Sequence, residues 1–358
     1  MQKVCKTLSN KIANMSLLCS LMVVVIHVLK REQLTGSCAW HLRRICGEGL
    51  CRIAVPFFFA AAGYFISVHF NEKGWYWREV SKRIKSLLIP FFASSAICFV
   101  LCSILIAAGN IQNGKSLWDG LVTGKRLLIA FGVNPFTVPE LRQLWFVRVL
   151  FVLVLLSPLL RLVGEKLTKA LGKSVYIVML WLCWTGGKWI LGKFISHDVW
   201  ISLNFGYFSF EGVAFFMLGM YLQTEKINIY RNNIKVGCAF LLAGFLGLVA
   251  HCPACVVIPL LLVGAWLCVP DNPLPVRIQG LHFPIYLVHL NVVFVYFAFL
   301  DSKHITNMAY FFDPGVSVLG ELVGFMIVTF VSLAICMALQ RLSASHAMLG
   351  RILFGGRK

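Results

Sequence analysis

A histidine near the end of an apolar run is the first chemical feature of the chain. His27 lies close to the end of IANMSLLCSLMVVVIHVL, residues 12–29. An unperturbed imidazole titrates near ~6.5, so such a ring can take a proton from a hydroxyl near neutrality. At ~100° per residue, Ser16, Ser20, Val23 and His27 fall on one narrow helical face, and the other faces are Leu, Met, Val and Ile. A polar stripe on an otherwise apolar helix faces protein or water rather than lipid. The plainer alternative is a histidine at a helix end whose ring reaches the membrane interface.

Other ionisable residues interrupt apolar runs. Arg148, Glu211 and Glu321 each lie about five or six residues from one end of a run, roughly 7–9 Å deep at ~1.5 Å per residue. They suggest either ion pairing, with Arg148 against Glu321, or a watery cleft with His27 on its rim. His282, Tyr286, His289 and Tyr296 share a second face, as core groups or as cleft lining, and Pro284 is expected to bend that helix between the first two. The stretch REVSKRIKSLLIP, residues 78–90, is either a positive anchor or a site for an anionic ligand at Arg83 and Lys85.

The elements that must hold these groups follow from composition. The chain has 358 residues, of which 59% are hydrophobic and 13% charged, and its mean hydropathy is +0.81. Soluble domains are nearer ~45–50% apolar and ~25% charged. The expectation is an all-α polytopic membrane protein, a bundle of about ten transmembrane helices in one domain, residues 1–358. The ten runs are roughly 12–29, 53–70, 87–109, 143–162, 174–192, 205–222, 235–250, 254–270, 279–300 and 316–339. A short amphipathic or re-entrant piece is expected around Leu127–Phe131. Lys and Arg are richer in the segments that are cytoplasmic when the N-terminus is inside, so both termini are expected there. The first run resembles a signal peptide but is too long and lacks a clear cleavage site, which predicts an uncleaved span.

The net charge of +19 is spread between apolar runs rather than gathered on a patch, which favours membrane lipid as a partner and no nucleic acid. The 13 cysteines lack metal spacing, and Cys252 and Cys255 form a CxxC with no second pair. No metal site is expected.

Several of these stretches, taken in order, resemble a known family. VVVIHV, VPFFFAAAGYFIS, KRIKSLLIPFF, LRQLWFVRVLFVLVLLSPLL, FFMLGMYL and FPIYLVHL are similar to motifs of the integral-membrane acyltransferase 3 family. The resemblance spans nearly the whole chain. It implies a membrane-embedded O-acyltransferase that moves an acetyl or similar acyl group from cytosolic acyl-CoA to a hydroxyl of an extracytoplasmic or lipid-linked glycan. No permanently bound cofactor is implied, and acetyl-CoA or another acyl-CoA is the donor substrate. The family's first-span histidine falls on His27, its basic motif on Arg83 with Lys85 nearby, its arginine after the span-four Trp145 on Arg148, and its span-nine histidine on His289. The chain departs from the pattern at Ser16 and Ser86, where the family carries arginines.

On this reading His27 is the base or is itself transiently acylated, Glu32 or Glu211 orients it, and Arg148 steadies the oxyanion. Arg83, Lys82 and Lys85 hold the donor's phosphates. His289, Tyr286, Trp145 and Glu321 are candidate substrate-binding residues. The rival from another class is a non-enzymatic exporter or scaffold for surface polysaccharide on the same helical core, which Ser16 keeps open. The location expected is a cell membrane, specifically a bacterial inner membrane.

Overall fold

The computed structural model describes residues 6–29, 43–112, 123–131, 144–194, 207–227, 229, 232–275, 278–302, 318–346, 348 and 352. The regular structure among the described residues is all helical, with no strand. The α-helices are α1 (Lys6–Val28), α2 (Ala54–Ser67), α3 (Trp75–Arg83), α4 (Ile89–Gln112), α5 (Gly124–Ala130), α6 (Trp145–Leu171), α7 (Lys173–Phe194), α8 (Phe210–Thr224), α9 (Ile234–Val249), α10 (Ala254–Cys268), α11 (His282–Ser302) and α12 (Val318–Ser345). Among the described residues, six helical stretches are long and apolar enough to cross a membrane. Three shorter apolar helices lie at 234–249, 254–268 and 282–293. The protein is a membrane protein, and each apolar run seen in the sequence carries a helix.

Local chemistry explains where helices begin and bend. The Ser209 hydroxyl accepts from the Gly212 amide at 3.1 Å, so α8 starts at Phe210 rather than at the start of the apolar run. Glu211 thereby falls in the first helical turn. There the unpaired amides and the helix dipole favour a carboxylate. Pro284 also differs from expectation. It sits in the first turn of α11, where its missing amide costs little, so the helix begins beside it rather than bending around it. A π-helical turn, Ile84–Leu88, joins α3 to α4 just before Pro90. The wider turn accommodates a proline that cannot donate to the preceding turn. The sequence break at His251-Cys252-Pro253 ends α9, and His251 adopts φ 61°.

The chain divides into two compact units: residues 1–73 with 215–341, and residues 74–214 with 342–358. In the first unit, Val24 and Val28 of α1, Leu281, Ile285 and Val292 of the α11 region, and Val328 and Cys336 of α12 form one buried apolar cluster. The α1 stripe faces this unit's interior. Ser16 and Ser20 are buried, and the Ser20 hydroxyl bonds to the carbonyls of Ser16 at 2.9 Å and His282 at 2.8 Å. In the second unit α3 packs against α6, and the Tyr76 hydroxyl donates to the Leu155 carbonyl at 3.1 Å.

Candidate functional site

The first unit brings two histidines together from opposite ends of the sequence. His27 is half-buried in the last turn of α1, and His289 is fully buried in α11. Their ring centroids are 5.3 Å apart, with the planes inclined at 40°. The Tyr286 ring lies 6.1 Å from that of His289 and is buried. The bond from Ser20 to the His282 carbonyl ties the two helices within two turns of this contact. The polar stripe of α1 and the histidine face of α11 therefore meet each other.

The tautomer of His289 follows from its partner. Its Nδ1 lies 3.0 Å from the Ile285 carbonyl oxygen. A carbonyl only accepts, so Nδ1 carries the proton and Nε2 presents a lone pair. That Nε2 is buried and has no hydrogen-bond partner among the described residues. A buried acceptor without a partner costs free energy, roughly 1–3 kcal/mol, unless a bound donor satisfies it. A sugar hydroxyl is such a donor.

The second unit holds the remaining described candidates. Arg148 is buried near the start of α6, with its guanidinium carbon 4.5 Å from the centre of the Tyr207 ring. Glu211 is buried, and its carboxylate accepts from the Trp184 indole at 3.4 Å. Trp145, the first residue of α6, is half-buried, with its ring 6.3 Å from that of Phe146. Glu32 lies outside the described residues. The backbone of Glu321 is in α12, but its side chain lies outside the described set, and with it the expected pairing to Arg148.

The basic stretch resolves into side chains of different kinds. Lys82 is 58% exposed and Lys85 is also exposed, whereas the Arg83 side chain is only 18% exposed. What turns Arg83 inward is Glu79, one helical turn earlier and 3% exposed. Its carboxylate lies 3.6 Å from Arg83 and 3.4 Å from Lys82. Glu79 was missed in the sequence, although its i,i+4 spacing to Arg83 was the available signal. Most of the pair's effect falls on Arg83, because Lys82 is screened by solvent. Replacing Glu79 with alanine is expected to destabilise the protein by about 3 kcal/mol by leaving a largely buried guanidinium without its counter-charge. Thermal unfolding of the purified protein in detergent reads this, and a melting point equal to wild type would remove the pair from any structural role.

Comparison with known proteins bears on what these groups do. The chain aligns with the succinoglycan biosynthesis protein ExoH of Rhizobium meliloti (strain 1021), 30% identical over 152 residues, covering 40% of each protein. The match thus spans less than half of that relative's length. No solved structure matches the chain. The model of a family described as an acyltransferase domain matches residues 15–341. That match takes in both histidines and the basic stretch, and it covers nearly all of the sequence, so the chain belongs to the acyltransferase domain family.

Proposed function

We propose that this protein transfers an acetyl or similar short acyl group from acyl-CoA to a hydroxyl of a glycan, with His27 as the base. The observation that carries the reading is the pair of imidazoles held 5.3 Å apart on α1 and α11 of a chain with an acyltransferase domain. The glycan acceptor is supported by the family and by a relative that serves succinoglycan biosynthesis.

The chemistry follows from the two rings. The His289 Nε2 lone pair accepts a hydrogen bond from a second, neighbouring hydroxyl of the acceptor and so orients the sugar. His27 accepts and removes the proton of the reacting hydroxyl as its oxygen attacks the thioester carbonyl. The carbonyl end of α1 carries partial negative charge, which favours the positive imidazolium that results. Collapse of the tetrahedral intermediate breaks the carbon–sulfur bond, and the imidazolium proton passes to the departing thiolate. The products are a sugar ester and CoA thiol. An acyl-His27 intermediate gives the same products in two steps. The proposal keeps Arg148 for the oxyanion on residue chemistry, since a guanidinium stabilises developing negative charge. It keeps Arg83, Lys82 and Lys85 for the donor's phosphates, with Arg83 oriented by Glu79.

The proposal extends to architecture. The whole chain acts as one acyltransferase domain that crosses a bacterial inner membrane ten times with both termini in the cytoplasm. That topology places the end of α3 on the side where acyl-CoA is found.

The test uses purified protein with radiolabelled acetyl-CoA and candidate glycans. Label in a sugar ester is the expected result, and Arg83→Ala is expected to raise the apparent KM for acetyl-CoA about tenfold with little change in kcat. Transport of glycan with no labelled ester would replace the enzyme with an exporter.

A further inference from the structure

Four helices of the first unit meet around an apolar chamber of about 350 Å³. Ile12 of α1, Phe57 and Tyr64 of α2, Leu222 of α8, and Val263 and Trp266 of α10 are among its lining residues. Tyr64, Leu222 and Trp266 each lie within three residues of the end of their helix, so α2, α8 and α10 bring the same end to it. From Tyr64 to Phe57 the chamber follows α2 for roughly 10 Å at ~1.5 Å per residue. Val263 is exposed, so the chamber reaches the outer surface of the unit. Its volume is at the lower end of the roughly 300–1,000 Å³ usual for small-molecule sites, enough for part of a hydrocarbon chain.

A buried cation stands at that end of the chamber. Lys11 precedes Ile12 on α1 and is 0% exposed. Its ammonium lies 4.7 Å from the centre of the Trp266 ring, whose indole is fixed by donating to the Ile229 carbonyl at 2.6 Å. The surroundings are held in place one turn on, where the Asn14 amide donates to the carbonyls of Pro270 at 2.7 Å and Asn272 at 2.9 Å. The Lys11 amine itself donates to the side chain of Asn232, an exposed residue. Among the described residues no carboxylate lies within ion-pair distance of Lys11, and Asp271 acts on it only from farther away. An ammonium has three donors, and a neutral amide with an aromatic face does not balance its charge. Burying a lysine this way is costly unless an anion shares the site.

An apolar space with an unbalanced cation at one end selects an amphiphile whose head carries net negative charge. We propose that the chamber seats one fatty-acyl chain of a resident phosphatidylglycerol, an anionic bilayer lipid, whose phosphate takes the place of Asn232 on the Lys11 ammonium. A zwitterionic lipid brings its own ammonium and leaves the net charge of the site where it was. The lipid is not a reactant. Lys11 precedes His27 by 16 residues on α1, roughly 24 Å at ~1.5 Å per residue, and none of the residues placed in the acyl-transfer chemistry lines the chamber. What the lipid supplies is packing and charge balance: its chain fills the space between α1, α2, α8 and α10, and its phosphate satisfies the ammonium. The assignment is independent of the acyl-transfer reading.

Thermal unfolding of the full chain, stripped of lipid in an uncharged detergent and given one additive at a time, tests the assignment. Phosphatidylglycerol is expected to raise the melting temperature by about 5 °C. The matched phosphatidylethanolamine, the matched diacylglycerol and the water-soluble headgroup glycerophosphoglycerol are expected to leave it unchanged. Without lipid, Lys11→Met is expected to melt at or above wild type, because the buried charge is gone, and it is expected to lose the response to phosphatidylglycerol. A lysine that served only to pack would give neither result. Lys11→Arg is expected to keep the response. Ala61→Phe, which fills the chamber, is expected to lose it when compared with its own lipid-free melting point. An equal response to phosphatidylethanolamine or diacylglycerol would mean that any chain is taken and the charge plays no part. An equal response to the free headgroup would make the ligand a soluble phosphate. An undiminished response in Lys11→Met would assign the effect to other basic residues of a chain whose net charge is +19. Each of these outcomes, or no response from wild type, overturns the proposal.

Discussion

Replacing His27 with alanine is expected to lower acyl transfer roughly 10³-fold while leaving a folded, membrane-inserted protein. The magnitude is that of a positioned general base, about 10²–10⁴. The neutral effect on folding follows from place. His27 is half-buried in the last turn of α1, and alanine is the residue a helix tolerates best. The apolar residues that anchor α1, Val24 and Val28 among them, are untouched. His289→Ala is a different experiment, because that ring is fully buried against Ile285 and Tyr286 and its loss opens a cavity. The informative quantity is therefore sugar-ester formation by His27→Ala at a melting temperature equal to wild type. Transfer within twofold of wild type would take His27 out of the mechanism.

How much of this was legible in the sequence depends on the range over which the causes act. Helix positions were legible because they are local. Long apolar runs ended by lysines, glycines and prolines leave few other states for a backbone that must satisfy itself in lipid. The break at His251-Cys252-Pro253 and the short helix at 124–130 follow the same logic. The α1 stripe was legible as a stripe, since Ser16, Ser20 and His27 need only a helical period to align. Its partner was not. Ser20 meets the His282 carbonyl across 262 positions of sequence, and no local pattern encodes that pairing. That Glu211 falls in the first turn of α8 has a local reason, the Ser209 cap, which sets the helix start inside the apolar run. Lys82, Arg83 and Lys85 looked alike in sequence, and burial against Glu79 separates them. The family resemblance stands, since the acyltransferase domain match takes in the same motifs.

The least visible constraint is a backbone contact between α2 and the part of α8 within the first unit, and it carries the largest expected effect on stability. A methyl group added at Gly219 would run into the Ala60 carbonyl and approach the Tyr64 amide. One added at Gly63 would run into the Phe216 carbonyl. Every obstructing atom is backbone, so no side-chain rotation relieves the clash, and the helices must separate. Close approach at glycines is a common way for membrane helices to gain dispersion contact without a hydrophobic driving force. Separation would loosen Phe59 and Phe216, both 0% exposed, and would widen the pocket that Ala60 and Tyr64 help to line. Intrinsic helix propensity works in the opposite direction, since alanine is favoured over glycine by about 1 kcal/mol. The two effects therefore differ in sign, and overpacking at a site with no slack costs about 3 kcal/mol or more. Gly219→Ala and Gly63→Ala are expected to melt well below wild type or to fail to accumulate as monodisperse protein. Gly186→Ala is the control, because nothing lies within 4 Å of the added carbon, and it is expected to melt at or slightly above wild type. If Gly219→Ala rose with the control, propensity would be the stronger term, and α2 and α8 would stand farther apart than this contact requires.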